Sequence, residues 1–156
     1  MKIYVFSKQQ FENQMKQNSI TNHNVENFKN SFFISINGTE DIGKQTYFSD
    51  KENVKVLHFD DVDKDYVVPI MGGGGATHMA KAFTQEQAKE LFEFIDKHSD
   101  KHVCILHCHA GISRSGAVGQ FICDYTGSDK DWFKQQNRHI LPNNLVYRLL
   151  KEQAEK

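Results

Sequence analysis

The stretch from Val103 to Gly127 constrains the fold of this chain more than any other. Val103-Cys104-Ile105-Leu106-His107 is a compact apolar run of the kind that forms a buried strand. Cys108 and a five-residue turn follow, and from Arg114 a helix runs to Tyr125 and stops at Gly127. A strand, a tight turn and a helix in immediate succession form the unit from which parallel sheets are built. The unit belongs at the centre of such a sheet, with its turn at the carboxyl end of the strand, where open α/β folds bind ligands.

The rest of the chain agrees with this. Ile3 to Phe6, Phe32 to Ile36 and Val54 to Phe59 read as further strands, and Asn37-Gly38 as the turn that ends the second. Ser7 caps a polar helix reaching about Lys16, and Asn18 to Asn30 reads as loop. Thr84-Gln85-Glu86-Gln87 is a capping box, and the helix behind it carries Ala88, Leu91, Phe92, Phe94 and Ile95 on its apolar face. Ser128 is expected to cap the next helix, and Asn143 or Asn144 the last, which carries Leu145, Val146, Leu149 and Leu150. Asp60 to His78 reads as a loop, with four acids in six residues (Asp60, Asp61, Asp63, Asp65) and the run Gly72 to Gly75. The expected fold is α/β, a central mostly parallel sheet flanked by helices, in a single domain over residues 1–156.

Composition excludes several classes of function. With 19 basic and 20 acidic residues the formal net charge is −1, so neither a nucleic-acid footprint nor a basic membrane-binding face is expected. No apolar stretch approaches membrane-spanning length, and the run after Met1 is too short for a signal peptide. Cys104, Cys108 and Cys123 are odd in number and match no disulfide or zinc spacing, so reduced thiols and a cytoplasmic location are expected. Cys104 and Cys123 read as core thiols, as Trp132, Phe133 and the Phe32–Ile34 stretch read as core. Nothing sets an oligomeric state, and a monomer is the expectation.

The chemistry lies in His107-Cys108-His109-Ala110-Gly111-Ile112-Ser113-Arg114-Ser115-Gly116. The backbone N–H groups of His109, Ala110, Gly111, Ile112 and Ser113 can converge on an anion, and the following helix adds its positive end. Arg114 offers a planar fork that matches two phosphate oxygens. The same groups stabilise a thiolate: a cysteine in such a place titrates at about 3.5–7.5, against roughly 8.5 when free. Cys108 is therefore expected to be an ionised nucleophile aimed at phosphorus. His102, His107 and His109 follow no zinc pattern and Arg114 would repel a cation, so no metal or other cofactor is expected. The Gly72–Gly75 run lacks the spacing of a nucleotide loop and reads as a flexible connection.

The pattern His-Cys-x-x-Gly-x-Ser-Arg-Ser resembles the protein tyrosine phosphatase superfamily, in its dual-specificity branch. Asn137-Arg138-His139-Ile140-Leu141-Pro142-Asn143 resembles the segment that closes many dual-specificity domains. The resemblance covers roughly Val54 to Leu150, with only these two segments close. It implies that Cys108 attacks phosphorus and forms a phosphocysteine, that Arg114 binds the equatorial oxygens, and that Ser115 helps the thiolate leave. By the same resemblance His107 holds the loop, and an aspartate on a separate loop protonates the leaving oxygen. In the family that aspartate lies nearer the cysteine, in a window that here holds Gly, Ala, Thr and His but no Asp. Leu57-His58-Phe59-Asp60-Asp61 resembles the end of the acid-bearing strand, with the glycine-rich stretch accounting for the spacing as an insertion. Asp61 is the first choice for the acid, Asp63 the second and Asp60 the third.

The implied function is hydrolysis of phosphotyrosine, with phosphoserine or phosphothreonine as further targets, in a phosphorylated protein partner. The same chemistry on a phosphoinositide or an RNA 5′ end is an alternative, weakened by the absence of Lys from the loop and by the net charge. A phosphoprotein-binding module without turnover is another, favoured only by the displaced acid. A rhodanese-type thiol transferase is disfavoured by the Ser113-Arg114-Ser115 ending.

Overall fold

In the computed structural model, which describes residues 1–70 and 72–156, four parallel strands form the central sheet. They are β1 (Lys2–Ser7), β2 (Ser31–Asn37), β3 (Val54–His58) and β6 (Val103–Cys108), in the order β1-β6-β2-β3. The strand that ends in Cys108 is thus interior, flanked by β1 and β2. Because all four run the same way, the segments after Ser7, Asn37, His58 and Cys108 gather on one edge of the sheet.

Helices cover both faces. α2 (Gln85–Lys97), α3 (Arg114–Thr126) and α5 (Asn144–Ala154) pack on one face, where Ile34, Leu91, Ile95, Leu106, Ile122 and Leu150 are fully buried. On the other face α1 (Lys8–Gln17) brings Phe11 and Met15 against Phe33 and Val54. Burial on both faces explains the near-continuous apolar strands. α4 (Lys130–Gln136) lies beside the β1 edge. Capping boxes start α1 at Ser7 and α2 at Thr84, Asn143 caps α5, and Gly127 ends α3 at φ +64°.

Three expectations need correction. The stretch Asp60 to His78 is not all loop: β4 (Tyr66–Pro69) and β5 (Thr77–Ala80) pair antiparallel as a ribbon turned by the glycine run. The ribbon is closed at its base, where the Asp60 N–H donates to the Lys81 carbonyl and the Lys81 N–H donates to the Asp60 carboxylate, each at 2.7 Å. Its strands have too few buried positions for a periodic signal to show in the sequence. The cap of α4 is Asp129, whose carboxylate accepts from the Trp132 N–H at 3.0 Å, while Ser128 is occupied by Thr126 at 2.6 Å. Trp132 is only half-buried, lying edge-on to Tyr4 with the Lys2 ammonium 4.4 Å from its ring centre. Phe133 is buried as expected.

Candidate active site

The turn from Cys108 to Arg114 is held on three sides. Gly111 has φ +72°, and a Cβ there would stand 2.4 Å from the Phe6 carbonyl carbon and the Ser7 nitrogen. Only glycine permits both the left-handed backbone and the close approach to the end of β1. The Lys8 N–H donates to the His109 carbonyl at 3.1 Å. From the other side Leu141 N–H donates to the Ile112 carbonyl at 2.9 Å and Asn143 N–H to the Ser113 carbonyl at 3.0 Å. The turn's carbonyls are thereby pulled outward. The N–H groups of His109, Ala110, Ile112 and Ser113 have no acceptor among the described residues, so they can donate to an anion.

Cys108 Sγ accepts from the Gly111 N–H at 3.3 Å and from the Ser115 hydroxyl at 3.1 Å. Burial pushes the thiol up, but the Ser115 hydroxyl and amide, the Arg114 charge and the Gly111 amide outweigh it and bring it below the ordinary value. Burial alone acts on Cys104, whose thiol it raises, and burial leads the causes that raise Cys123. Of three free cysteines, only the one heading the turn is tuned toward the thiolate. Cys108 is 2% exposed and lies beneath the surface of the turn, whose His109 and Arg114 line the adjoining cleft while Cys108 itself does not.

His107 is buried against Phe11, with ring centres 4.5 Å apart. Its Nδ1 lies 3.2 Å from the Cys108 carbonyl and its Nε2 2.8 Å from Ser35 Oγ, which also accepts from the Asn37 side-chain amide at 3.2 Å. Burial holds this imidazole neutral, down to about 4.

The three candidate acids have different surroundings. Asp61 reaches the turn: its Oδ1 accepts from the Ser113 hydroxyl at 2.8 Å and from the Asn143 side-chain amide at 3.0 Å. Asp60 is spent on structure, accepting from Thr39 N–H at 3.0 Å, Thr39 Oγ1 at 2.6 Å and Lys81 N–H at 2.7 Å, with His78 Nε2 3.9 Å away. Asp63 is exposed and enters no hydrogen bond or ion pair among the described residues. The ribbon accounts for the long spacing between Asp61 and Cys108, since the chain leaves at Asp60 and returns to it at Lys81. Arg114 donates through Nη1 to the Phe59 carbonyl at 3.0 Å, joining the turn to the acid-bearing segment.

The resulting cleft holds about 390 Å³ and is lined by residues following all four strands: Lys8; Gly38, Glu40 and Asp41; Asp60 and Asp61; and His109 with Arg114. Its place at the carboxyl edge is where a parallel sheet binds ligands. Sequence reasoning did not find Lys8 or Glu40 on the wall, nor Asn143 as the amide that holds Asp61. The only signal for Asn143 was its place in the Pro-Asn segment.

No protein-family model matches this chain. No curated protein matches it by sequence. Solved structures similar to it include a human tyrosine phosphatase-like serine/threonine/tyrosine-interacting protein, 19% identical over 84% of this chain and 81% of that one, with a TM-score of 0.45. Tk-PTP in its active form is also similar, 18% identical over 100% of this chain and 93% of that one, with a TM-score of 0.43.

Proposed function

We propose that this chain is a cysteine-dependent phosphatase that acts on phosphorylated protein side chains through a phosphocysteine intermediate. The observation that carries the reading is the set of donors on Cys108 Sγ, from Gly111 and Ser115, at the foot of a turn whose other amides are unpartnered among the described residues. A thiolate in an anion cradle is chemistry for a phosphoryl centre.

In the forward step the thiolate forms an S–P bond as the P–O bond to the leaving side chain breaks. Arg114 and the turn's amides take the charge on the equatorial oxygens, which requires no metal. Asp61 gives its proton to the leaving oxygen. Ser113 and Asn143 both donate to Oδ1, which in this reading leaves Oδ2 to carry that proton. In the second step water attacks phosphorus, Asp61 takes a proton from it, and the S–P bond breaks. The electron pair returns to sulfur, where the Ser115 hydroxyl receives it. Free thiols at Cys104, Cys108 and Cys123 suit a reducing compartment such as the cytoplasm.

The test is phosphate release from a phosphotyrosine peptide in a metal chelator, by the native chain and Cys108→Ser. Release by the native chain alone is the expected result. No release, with the peptide still bound, would make the site a binding module.

A further inference from the structure

Two hollows meet at one wall. Beyond the cleft lined by His109 and Arg114 a second groove, of about 480 Å³, runs along the β4–β5 ribbon, and Glu40 and Asp60 line both. Apart from Glu40, Asp60 and His78, which lies 3.9 Å from Asp60, the groove is lined by apolar groups, chiefly Tyr66, Val68, Pro69 and Ile70. Tyr66 and Ile70 are each 46% exposed, a large apolar surface for a ribbon beside a polar cleft.

The shared wall carries a distinct charge. Asp60 is saturated by Thr39 and Lys81. Asp41 lies 3.6 Å from Lys44. Glu40 is exposed and enters no hydrogen bond or ion pair among the described residues. Once Arg114 and the amides are engaged by a phosphate, Lys8 is the remaining Lys or Arg on the cleft wall, against Glu40, Asp41, Asp60 and Asp61. Whatever extends from the phosphate into the groove therefore meets a carboxylate first and an apolar surface next. A nucleic acid brings a further negative charge with each nucleotide, and an inositol lipid sits in an anionic surface, so both are repelled there. A polypeptide can instead place a cation and then an apolar side chain.

We infer that the ribbon groove is the subsite for a phosphoprotein substrate. Glu40 receives a Lys or Arg next to the phosphorylated residue, and Tyr66, Val68 and Ile70 receive an apolar side chain beyond it. The inference rests on the phosphatase reading and deepens it by naming the residues that flank the phosphate in its substrate. The ribbon that displaces the acid in sequence becomes the element that selects the substrate.

The experiment compares kcat/KM for three phosphotyrosine peptides of equal length, flanked by Arg and Leu, by Glu and Leu, or by Arg and Ser. A small aryl phosphate reports the chemistry alone, and binding of the same peptides to Cys108→Ser reports the groove without turnover. The Arg-Leu peptide is expected to exceed the Glu-Leu peptide by about fivefold or more, since attraction is exchanged for repulsion at a partly exposed site. Glu40→Arg is expected to invert that ratio, a readout in which any general change in rate cancels. Equal values for the Arg and Glu peptides, in turnover and in binding, overturn the groove assignment while hydrolysis of the aryl phosphate leaves the chemistry standing. Faster release from an RNA 5′-phosphate, or from an inositol phospholipid in vesicles, than from the Arg-Leu peptide overturns it as well. No hydrolysis of any substrate removes the phosphatase reading, and the binding series then decides the groove by itself.

Discussion

Ser35 Oγ and His107 Nε2 lie 2.8 Å apart in the buried layer beneath the turn. A carbonyl can only accept, so the Cys108 carbonyl requires a proton on His107 Nδ1, and Nε2 must accept from the Ser35 hydroxyl. The Asn37 amide donates to Ser35 in turn, so donation runs in one direction from β2 through His107 to the Cys108 carbonyl. Ser35→Ala is expected to leave the imidazole acceptor unsatisfied and to cost about 1–3 kcal/mol. Urea denaturation measures the loss. Nitrogen NMR of the His107 ring would show one tautomer in the native chain and a mixture in the variant, and an unchanged spectrum would show that Ser35 does not set the tautomer.

The same histidine makes stability depend on pH. Its folded-state value is depressed to about 4 from 6.5, so the folded chain binds fewer protons than the unfolded one between those values. Stability is then complete above 6.5 and falls as pH drops toward 4, by about 3 kcal/mol across that window. Denaturation at a series of pH values should show the slope in the native chain and a flatter profile in His107→Gln. A native chain equally stable at both ends of the window would contradict the neutral imidazole.

Three aspartates near the cleft should separate cleanly on substitution. Asp61→Asn is expected to lower kcat by about 10²–10⁴-fold with little change in stability, because it removes a proton donor from an exposed position. Asp60→Asn is expected to appear mainly in stability, at about 2 kcal/mol, because its charged carboxylate ties Thr39 and Lys81 together. Asp63→Asn should change neither. Steady-state kinetics and thermal melts on the three variants read both axes, and loss of turnover in Asp63→Asn would reassign the acid.

The thiols should differ in reactivity. Cys108 is expected to alkylate with iodoacetamide near neutral pH, while Cys104 and Cys123, fully buried and raised, stay unmodified in the folded chain. Ser115→Ala removes the hydroxyl that donates to Cys108 Sγ, so the pH midpoint of alkylation should rise. Peptide mass mapping across a pH series follows each cysteine separately. Equal labelling of all three would show that the cradle does not stabilise the thiolate.

Much of the molecule was legible in the linear order of residues. The apolar run ending in Cys108, the glycine in the turn and the arginine opening α3 are local features, and local sterics and hydrogen bonding suffice to form a strand, a tight turn and a helix. The caps at Ser7, Thr84 and Asn143 are equally local, since each side chain reaches an amide three residues ahead. The ribbon between Tyr66 and Ala80 was not legible, because its strands are largely exposed and lack the buried alternation by which a strand is recognised.

By itself the sequence determined the parallel α/β layers and the chemistry-bearing turn, because periodicity and turn geometry are properties of neighbours along the chain. Which aspartate meets that turn was decided only by tertiary structure. Asp60 and Asp61 are adjacent in sequence, yet one carboxylate accepts from Thr39 and Lys81, and the other from Ser113 and Asn143. The acidic wall at Glu40 and the Ser35–His107 contact likewise join segments far apart in the chain. Such pairings follow from strand order and register, which place distant residues side by side and leave no trace in the spacing of residues along the chain.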